Sequence, residues 1–564
     1  MSSIVLKTTN SSSVSSKRGP RPRGFAKIAD AFSIGERPSE IEGFDSSRNT
    51  GDAGFPVTAQ LLTDGGDSRI VCAPGGPNRY GCSALPEPDV LAYGSSTAST
   101  ISPVGFAAAD TLRKRLKRFA PSESVSVTYE REVDRVRREL KVLCGLQELP
   151  GLEIILGASG TDLHLFASQL MVDTNAHAPF IVRVEAAETG RGVPDALAGR
   201  HFGDCAPLGD AVVPNFPLDC GRPIEVLEVT CRAKDGKLRP AATVDAEVEA
   251  AVIEAVKTGR RVLLTLVDVS KTGLLSPSPA LVDALRTRFP KQIDVLVDAC
   301  QFRLAPSTLQ AYLQRDFLVA VTGSKFITGP TFCGALLVPE RVAHRLKTRT
   351  LPRALRSYSA RADWPRGWAA RTTLKDVANI GLLLRWEAAL AELRAFRELP
   401  ETAIRDFLMT FAQAVEHHLA QSPAFEFLPS PTLDRGPFGS AKSWDHLPTI
   451  FSFLLVRRSS SGGAVWLNQD ETKKVHELLR DDLGGSSETS SHALLSSRCQ
   501  LGQPVACGTR DGIPVSALRL CASTRLIVDA VSPQGRGAKT VIAEALAALD
   551  KAALLASRPL TSLF

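Results

Sequence analysis

Between residues 150 and 322, short runs of apolar residues alternate with longer stretches in which apolar residues recur every three or four positions. The short runs are apolar on both faces, which is typical of strands buried in a parallel sheet, and the longer stretches are typical of amphipathic helices. The predicted strands are LEIILGAS, PFIVRVEAA, IEVLEVTC, RVLLTLVDV, IDVLVDAC and DFLVAVTG, and the predicted helices are TDLHLFASQLMV, DAEVEAAVIEAVKTG, PALVDALRTRF and STLQAYLQR. This alternation predicts an α/β fold with a mostly parallel sheet sandwiched by helices.

The remaining pattern divides the chain into four parts. A long helical pattern, DVANIGLLLRWEAALAELRAFREL, opens a second region that ends with the strand VSALRLCAS and the helix AKTVIAEALAALDKAALLA, which predicts a smaller α+β domain. We expect a disordered, basic, Ser-rich tail at 1–35, an N-terminal wrapping segment at 36–105, a large domain at 106–375 and the smaller domain at 376–564.

Composition adds limits on the class of protein. The 564 residues are 44% hydrophobic and 23% charged, as in ordinary globular proteins, and the net charge of +7 owes much to the first 29 residues. The basic residues lack a nucleic-acid-binding motif, and no run of about 18 apolar residues predicts a membrane span, so we expect neither nucleic acid nor membrane as a partner.

The cysteines and the tail bear on the compartment. None of the eleven cysteines forms a C-x-x-C pair, so we expect no metal site, and their scattered positions suit a reducing compartment such as the cytoplasm. The acid-poor tail has the composition of a plain disordered segment and also that of an organellar transit peptide, and both interpretations stay open.

The segment LVAVTGSKFITGPTFCGALLVP places a lone lysine, Lys325, between two apolar runs. In a parallel sheet, ligands bind beyond the carboxyl ends of the strands, so residues that follow strands are candidates for chemistry. Lys325 in a surface hairpin would simply point into water. A partly desolvated Lys325 would instead be a nucleophile that forms a Schiff base with a carbonyl group.

Two other strand ends carry polar residues. In GASGTDLH, small and hydroxyl residues open a helix, which favours either a phosphate site or an ordinary N-cap made by Ser159 or Thr161. Asp298 ends the strand IDVLVDAC, where it caps a helix or keeps a buried ring nitrogen protonated. A phosphate turn, a carboxylate and a lysine in this order together indicate a cofactor site.

VDACQ followed by TGSKFITGPTFCGALLVP resembles the pyridoxal-phosphate enzymes of fold type I, in the superfamily of class V aminotransferases and cysteine desulfurases. The resemblance spans about residues 90–560 and implies pyridoxal phosphate as cofactor, a small amino acid as substrate and a homodimer. It also implies a set of roles: Lys325 as the Schiff-base lysine, Asp298 at the pyridinium nitrogen, Gln301 near the ring hydroxyl, Gly160, Thr161, Thr322 and Ser324 at the phosphate, and Arg519 of ALRLCAS at the substrate carboxylate. The alternative for Arg519 is a surface arginine of a strand.

Three positions depart from the family pattern. The histidine that usually stacks on the ring face is absent, and Thr189 or Glu188 takes its place. Ser324 precedes the lysine where desulfurases have histidine, and Ser270 of DVSKTG replaces the family's asparagine. These changes concern the reaction more than the binding of the cofactor.

The resemblance leaves several reactions open. We favour a class V aminotransferase, in which Lys325 moves a proton between the α-carbon and the cofactor. A cysteine desulfurase or C–S lyase is the first alternative, with Cys499 of SSRCQLGQPVACG as the candidate nucleophile in a loop that we predict to be flexible, although Leu501 stands where the desulfurase cysteine is expected. A decarboxylating or C–C bond-forming enzyme is the second alternative. The sequence does not name the substrate.

Overall fold

The computed structural model describes residues 55–119, 123–172, 179–219, 224–440, 442–458, 462–484 and 490–558. The predicted N-terminal tail lies outside the described residues. Within those ranges, no helix combines the length and the apolar character needed to cross a lipid bilayer.

The strands form two separate sheets. In chain order they are β1 (Val90–Tyr93), β2 (Glu153–Gly157), β3 (Phe180–Val184), β4 (Glu225–Val229), β5 (Val262–Val267), β6 (Ile293–Ala299), β7 (Leu318–Thr322), β8 (Gly334–Val338), β9 (Phe425–Leu428), β10 (Ile450–Arg458), β11 (Ala464–Trp466), β12 (Arg498–Arg510) and β13 (Ile513–Cys521). The large sheet has the order β2-β8-β7-β6-β5-β3-β4. β8 runs antiparallel to β2 and β7, and the other neighbouring strands are parallel.

The helices cover both faces of the large sheet and one side of the other. They are α1 (Thr58–Leu62), α2 (Pro103–Phe119), α3 (Val125–Leu143), α4 (Gly160–Met171), α5 (Val193–Leu197), α6 (Ala241–Lys257), α7 (Pro279–Arg288), α8 (Pro306–Gln314), α9 (Glu340–Leu346), α10 (Ile380–Arg397), α11 (Glu401–Gln421), α12 (Gln469–Leu478), α13 (Ser490–Ser496), α14 (Thr524–Val531) and α15 (Ala538–Ser557).

The packing of β6 shows why its sequence is apolar throughout. Val295 and Val297 point into one hydrophobic cluster, and Leu296 between them points into a second cluster on the opposite face. Since successive side chains of a strand alternate between the two faces of a sheet, a strand covered on both faces needs apolar residues at consecutive positions. The predicted α/β fold, its six strands and its four helices are confirmed.

The second sheet combines distant parts of the chain. Its order is β1-β12-β13-β10-β11, and β9 pairs with β10. β1 comes from the N-terminal segment and pairs in parallel with β12, with Val90 opposite Arg498. The segment before residue 105 is therefore built into the sheet of the C-terminal region.

A buried ion pair joins the two regions. Asp268 directly follows β5, and its carboxylate accepts hydrogen bonds from Arg435 Nη2 at 2.6 Å and Arg435 Nε at 2.8 Å. The Tyr312 hydroxyl donates to the same carboxylate at 2.7 Å. The Asp268 and Arg435 side chains are 0% and 1% exposed, so neither charge is compensated by water.

We expect Asp268→Asn to lower the free energy of unfolding by about 3–5 kcal/mol, because it leaves the Arg435 guanidinium buried without a counter-charge. Urea unfolding followed by tryptophan fluorescence measures the change. Asp235→Asn is the matched control: the Asp235 side chain is 46% exposed and lies 3.4 Å from exposed Lys237, so the loss of its charge should change stability by less than about 0.5 kcal/mol. Equal stability of the two variants would contradict a structural role for the buried pair.

Candidate active site

A cavity of about 1270 Å³ lies where the carboxyl ends of the large-sheet strands face the second sheet. Its walls come from the turns that follow β2, β5, β6 and β7, from the N-terminal segment and from β12 and β13. Every cofactor- or substrate-binding residue predicted from the sequence lines this cavity: Gly160, Thr161, Thr189, Ser270, Asp298, Gln301, Thr322, Ser324, Lys325 and Arg519. Cys499 is the predicted site residue that does not line it.

Lys325 stands in the turn between β7 and β8. The turn is closed by hydrogen bonds from the Gly323 N–H to the Cys333 carbonyl at 3.0 Å and from the Gly329 N–H to the Gly323 carbonyl at 2.8 Å. A Cβ at Gly323 would lie 2.6 Å from Ala389 Cβ, so the turn packs too closely for any other residue. Lys325 is half-buried and faces the cavity, and in the described part of the chain its amine makes no hydrogen bond or ion pair. The surface-hairpin interpretation is therefore wrong.

Asp298 is fixed by a histidine from α4. His164 Nε2 lies 3.1 Å from Asp298 Oδ2, and His164 Nδ1 lies 2.7 Å from the Gly160 carbonyl oxygen. Both ring nitrogens thus face oxygen atoms, which fixes the orientation of the His164 ring beside Asp298. Burial acts to raise the pKa of Asp298, but the pairing with His164, helped by Lys325, brings that pKa well below its usual range. Asp298 is thus a permanent carboxylate and caps no helix.

The Cys300 thiol adjoins this pair, and the donor atoms of His164, Asp298 and Cys300 all lie within 4.8 Å of one another. His164 and Asp298 contact each other directly, and the Cys300 N–H donates to Asp298 Oδ1 at 3.2 Å, so the contacts within this cluster are hydrogen bonds.

The turn after β2 combines a helix N-terminus with an arginine. The Ser159 side chain caps α4, so the N-cap interpretation holds for that residue. Arg69 from the N-terminal segment donates from Nη2 to Ser159 Oγ at 3.1 Å and from Nη1 to Thr161 Oγ1 at 3.3 Å. Asp67 pairs with Arg69 at 2.6 Å and holds it there. A cation, two hydroxyls and helix N–H groups at one point form a site suited to a phosphate.

The carboxyl group of Asp162 lies beside this turn and has a raised pKa. Burial raises the pKa of Asp162 to about 7, and the charge of Asp67 adds to the increase. Protonation of Asp162 removes its negative charge, and the protonated form does not repel a phosphate at this turn.

Two buried polar atoms in the middle of the cavity have no partner among the described residues. Gln301 donates from Nε2 to the Ser96 carbonyl at 2.9 Å, but its Oε1 atom accepts nothing, and the Ser96 hydroxyl is also unpaired. Thr322, in contrast, donates its hydroxyl hydrogen to the Cys300 carbonyl at 2.6 Å. Buried polar atoms without partners are rare in proteins, so these two indicate a place for a polar ligand.

Of the two residues considered for the ring face, Glu188 is held by the protein itself. It accepts from Ser270 Oγ at 2.6 Å and from Thr272 Oγ1 at 2.7 Å, and it pairs with Arg232 at 2.7 Å. Burial raises the pKa of Glu188, but these partners, Arg232 first, outweigh burial and lower it. Both residues line the cavity, and the Thr189 hydroxyl has a single contact, with the Ala186 carbonyl at 3.4 Å, so Thr189 is the less constrained of the two.

Arg519 lies on β13 and is fully buried, so its interpretation as a surface arginine is wrong. It donates to the Lys271 carbonyl at 3.2 Å, to Thr97 Oγ1 at 3.0 Å and to the Gln503 carbonyl. Arg519 Nε has no partner in the described residues. Arg519 thus joins three segments at the cavity and keeps donor capacity for a ligand.

Lys271, Arg69 and His164 are site residues that sequence reasoning missed. Lys271 lines the cavity, and its amine donates to the Ala187 carbonyl at 3.4 Å. Burial lowers the pKa of Lys271 to about 7, and the positive charges of Arg519 and Lys325 add to the decrease. Lys271 could have been predicted from its place beside Ser270 in DVSKTG. Nothing in the local sequence around Arg69 or His164 indicates a site.

The prediction that Cys499 lies in a flexible loop is wrong. Cys499 belongs to β12, where it pairs with Leu91 of β1, and its N–H donates to the Leu479 carbonyl at 2.9 Å. The thiol is fully buried, and burial raises its pKa to about 12. The adjacent Arg498 forms an ion pair with Glu87 at 3.5 Å. This environment favours a neutral, inert thiol.

Comparisons with known proteins found distant likenesses among solved structures. No protein-family model and no curated protein matches the chain. Cysteine desulfurase CsdA from Escherichia coli is 12% identical, with a TM-score of 0.47 over 82% of this chain and 94% of that chain. Serine palmitoyltransferase from S. paucimobilis is 12% identical, with a TM-score of 0.45 over 82% and 88%. A phosphoserine aminotransferase from Cytophaga hutchinsonii is 14% identical, with a TM-score of 0.44 over 82% and 99%.

Proposed function

We propose that this protein is a pyridoxal-phosphate-dependent enzyme that acts at the α-carbon of an amino acid, and that its reaction is transamination. One observation carries the proposal: the unpaired amine of Lys325, the carboxylate of Asp298 and the turn held by Arg69 line the same cavity. A lysine, a carboxylate and a phosphate turn are the groups that the aldehyde, the ring nitrogen and the phosphate of this cofactor require.

The polar atoms of the cavity fit the cofactor. The unpartnered Gln301 Oε1 would accept the ring hydroxyl, and the amine of Lys325 is available for the aldehyde. The residues that would hold the cofactor are Gly160, Thr161, Arg69, Thr322 and Ser324 around the phosphate, Asp298 and Gln301 around the ring edge, and Thr189 and Ser270 beside the ring.

Each residue has a defined task in the reaction. Pyridoxal phosphate, when bound, withdraws electrons from the α-carbon of an amino acid joined to it. Asp298, beside His164, would hold a proton at the ring nitrogen of the bound cofactor. Lys325 Nζ would act as the base that takes a proton from the α-carbon and as the acid that returns one to the cofactor, which is the proton movement that transamination requires. Arg519 orients the α-carboxylate.

The positions of the cysteines favour transamination over sulfur transfer. A desulfurase needs a thiolate that reaches the substrate, and Cys499 is buried in β12 outside the cavity. Among the cysteines in the described ranges, Cys300 alone lines the cavity, and burial and the charge of Asp298 raise its pKa well above the usual value. Neither thiol is prepared to accept sulfur.

We further propose a homodimer in a reducing, cytoplasmic environment. The dimer rests on the sequence resemblance. The cytoplasmic location is supported by the cysteines in the described residues, which are all free thiols.

We expect the purified protein to take up pyridoxal phosphate with a visible absorption band, and borohydride reduction to fix the cofactor on the peptide that contains Lys325. Lys325→Ala should lose the covalent link and still bind cofactor through the phosphate turn. Mass spectrometry of the reduced protein locates the link. Lys473→Ala, at the exposed rim of the cavity, is the control and should keep it. Attachment at Lys271, or protein that takes up no cofactor, would refute the proposed role of Lys325.

We expect Arg69→Gln to weaken the binding of pyridoxal phosphate at least tenfold, since a charge-assisted hydrogen bond contributes about 1.5–3 kcal/mol. Pyridoxal, which lacks the phosphate, should bind the variant as it binds the unchanged protein. Fluorescence titration measures both. Arg79→Gln changes another cavity arginine of the same segment and should affect neither compound. Equal losses for both compounds in Arg69→Gln would mean that Arg69 supports the fold and not the phosphate.

We expect incubation with a panel of common amino acids and a keto-acid acceptor to yield a new keto acid, without sulfide or carbon dioxide. Cys499→Ala should retain at least about half of this activity, because the thiol lies outside the cavity. Chromatography of the products and circular dichroism of the variant measure reaction and folding. Sulfide release from cysteine that disappears in folded Cys499→Ala would overturn transamination in favour of desulfuration.

A further inference from the structure

Two of the carboxylates that line the cavity, Glu188 and Asp298, already have basic partners. Glu188 pairs with Arg232 at 2.7 Å, and Asp298 pairs with His164 at 3.1 Å. Each of these carboxylates is therefore already engaged within the protein, and Glu188 acts on Lys271 and Arg519 through its charge alone, without a direct contact.

Three basic residues that line the same cavity have no such partner. Across the described ranges, Lys271, Lys325 and Arg519 have no carboxylate within 4.0 Å, although all three line the cavity. Lys325 is assigned to the cofactor by the proposed function. Lys271, half-buried, and Arg519, fully buried, remain as two basic groups that the protein itself does not pair with a carboxylate. Basic groups without an anionic partner attract anions to a cavity, so these two indicate an anionic ligand.

The two cations differ in how much of their hydrogen-bonding capacity is free. Arg519 uses three of its five N–H bonds, one of Nη1 and two of Nη2, on the Lys271 carbonyl, Thr97 and the Gln503 carbonyl, and Nε is unpartnered. That leaves capacity for one further group, which the proposed function assigns to the α-carboxylate. A single carboxylate carries one charge and cannot compensate Lys271 as well.

Lys271 also keeps free donors. Its ammonium group has three N–H bonds, and its contact with the protein is the Ala187 carbonyl at 3.4 Å. Ala187 belongs to the same loop as Thr189, so the amine lies toward the loop expected beside the cofactor ring. Burial, Arg519 and Lys325 all disfavour the charged form of Lys271, and an anion beside the amine would remove that penalty.

Resting on the proposed function, we propose that the substrate is an amino acid with a second anionic group in its side chain, and that Lys271 binds this group while Arg519 binds the α-carboxylate. Carboxylate, sulfonate and phosphate groups share the required chemistry, since each offers oxygen atoms with negative charge to an ammonium ion. Lys271 is thereby a specificity-determining residue.

Calorimetric titration of the protein with unreactive acids tests this assignment. Succinate and butyrate have the same chain length and differ in one carboxylate, and 3-phosphonopropionate replaces that carboxylate by a phosphonate. We expect succinate to bind at least tenfold more tightly than butyrate. Lys271→Met should reduce this preference to about twofold by weakening succinate alone. Lys473→Met, which removes an exposed rim lysine that lies 3.8 Å from Glu477, should preserve the preference.

Two outcomes would overturn the proposal: equal affinities of the unchanged protein for succinate and butyrate, or an equal loss of both in Lys271→Met. The second would mean that Lys271 serves the α-carboxylate or the fold, and Lys271→Gln with circular dichroism separates these cases. Stronger binding of 3-phosphonopropionate than of succinate would support a phosphorylated side chain, and the reverse a dicarboxylic substrate. The titrations report on Lys271 with or without cofactor, so failure to take up pyridoxal phosphate contradicts the proposed function and not this result.

Discussion

The Asp268–Arg435 ion pair fixes the geometry on which the candidate site depends. Asp268 is the first residue after β5, and the following residues up to Gly273 form the turn that carries Ser270 and Lys271 into the cavity. With both side chains buried, neither charge can leave its partner without a large loss of free energy. Val269 has a φ of 59°, which is strained for a β-branched residue, and the pair beside it holds the chain in this conformation.

The charges of the cavity fall into two groups with different uses. Asp298 and Glu188 are each held by a basic side chain, His164 and Arg232, and both carboxyl groups have lowered pKa values, so they are ionised and oriented before any ligand arrives. Lys325 and Lys271 have no anionic partner in the described structure, and both face the cavity. Pre-organised partners reduce the reorganisation that a reaction requires, while unpaired cations provide affinity for anionic ligands. This division argues for a site that recognises its ligand by charge.

The sequence predicted what depends on local pattern. The buried strands follow from consecutive apolar residues, and Lys325, Asp298 and Thr161 follow from the rule that ligands bind at the ends of parallel strands. Arg69 was not predictable in this way, because it reaches Thr161 from 92 residues earlier in the chain. In the sequence, His164 looks like any polar residue of a helix. Its role follows from its contact with Asp298, and only the folded structure brings these two residues together.

Cys499 is another residue whose environment could not be predicted from the local sequence. Its strand is stabilised by pairing with Leu91, about four hundred residues earlier, while the serines before it are typical of a loop. The N-terminal segment that supplies Leu91 also supplies Arg69 to the phosphate turn and Thr97 to Arg519. One segment therefore provides both an edge strand of the second sheet and a wall of the cavity. Because the same stretch of backbone carries both, the stability of that sheet and the shape of the candidate site are physically coupled.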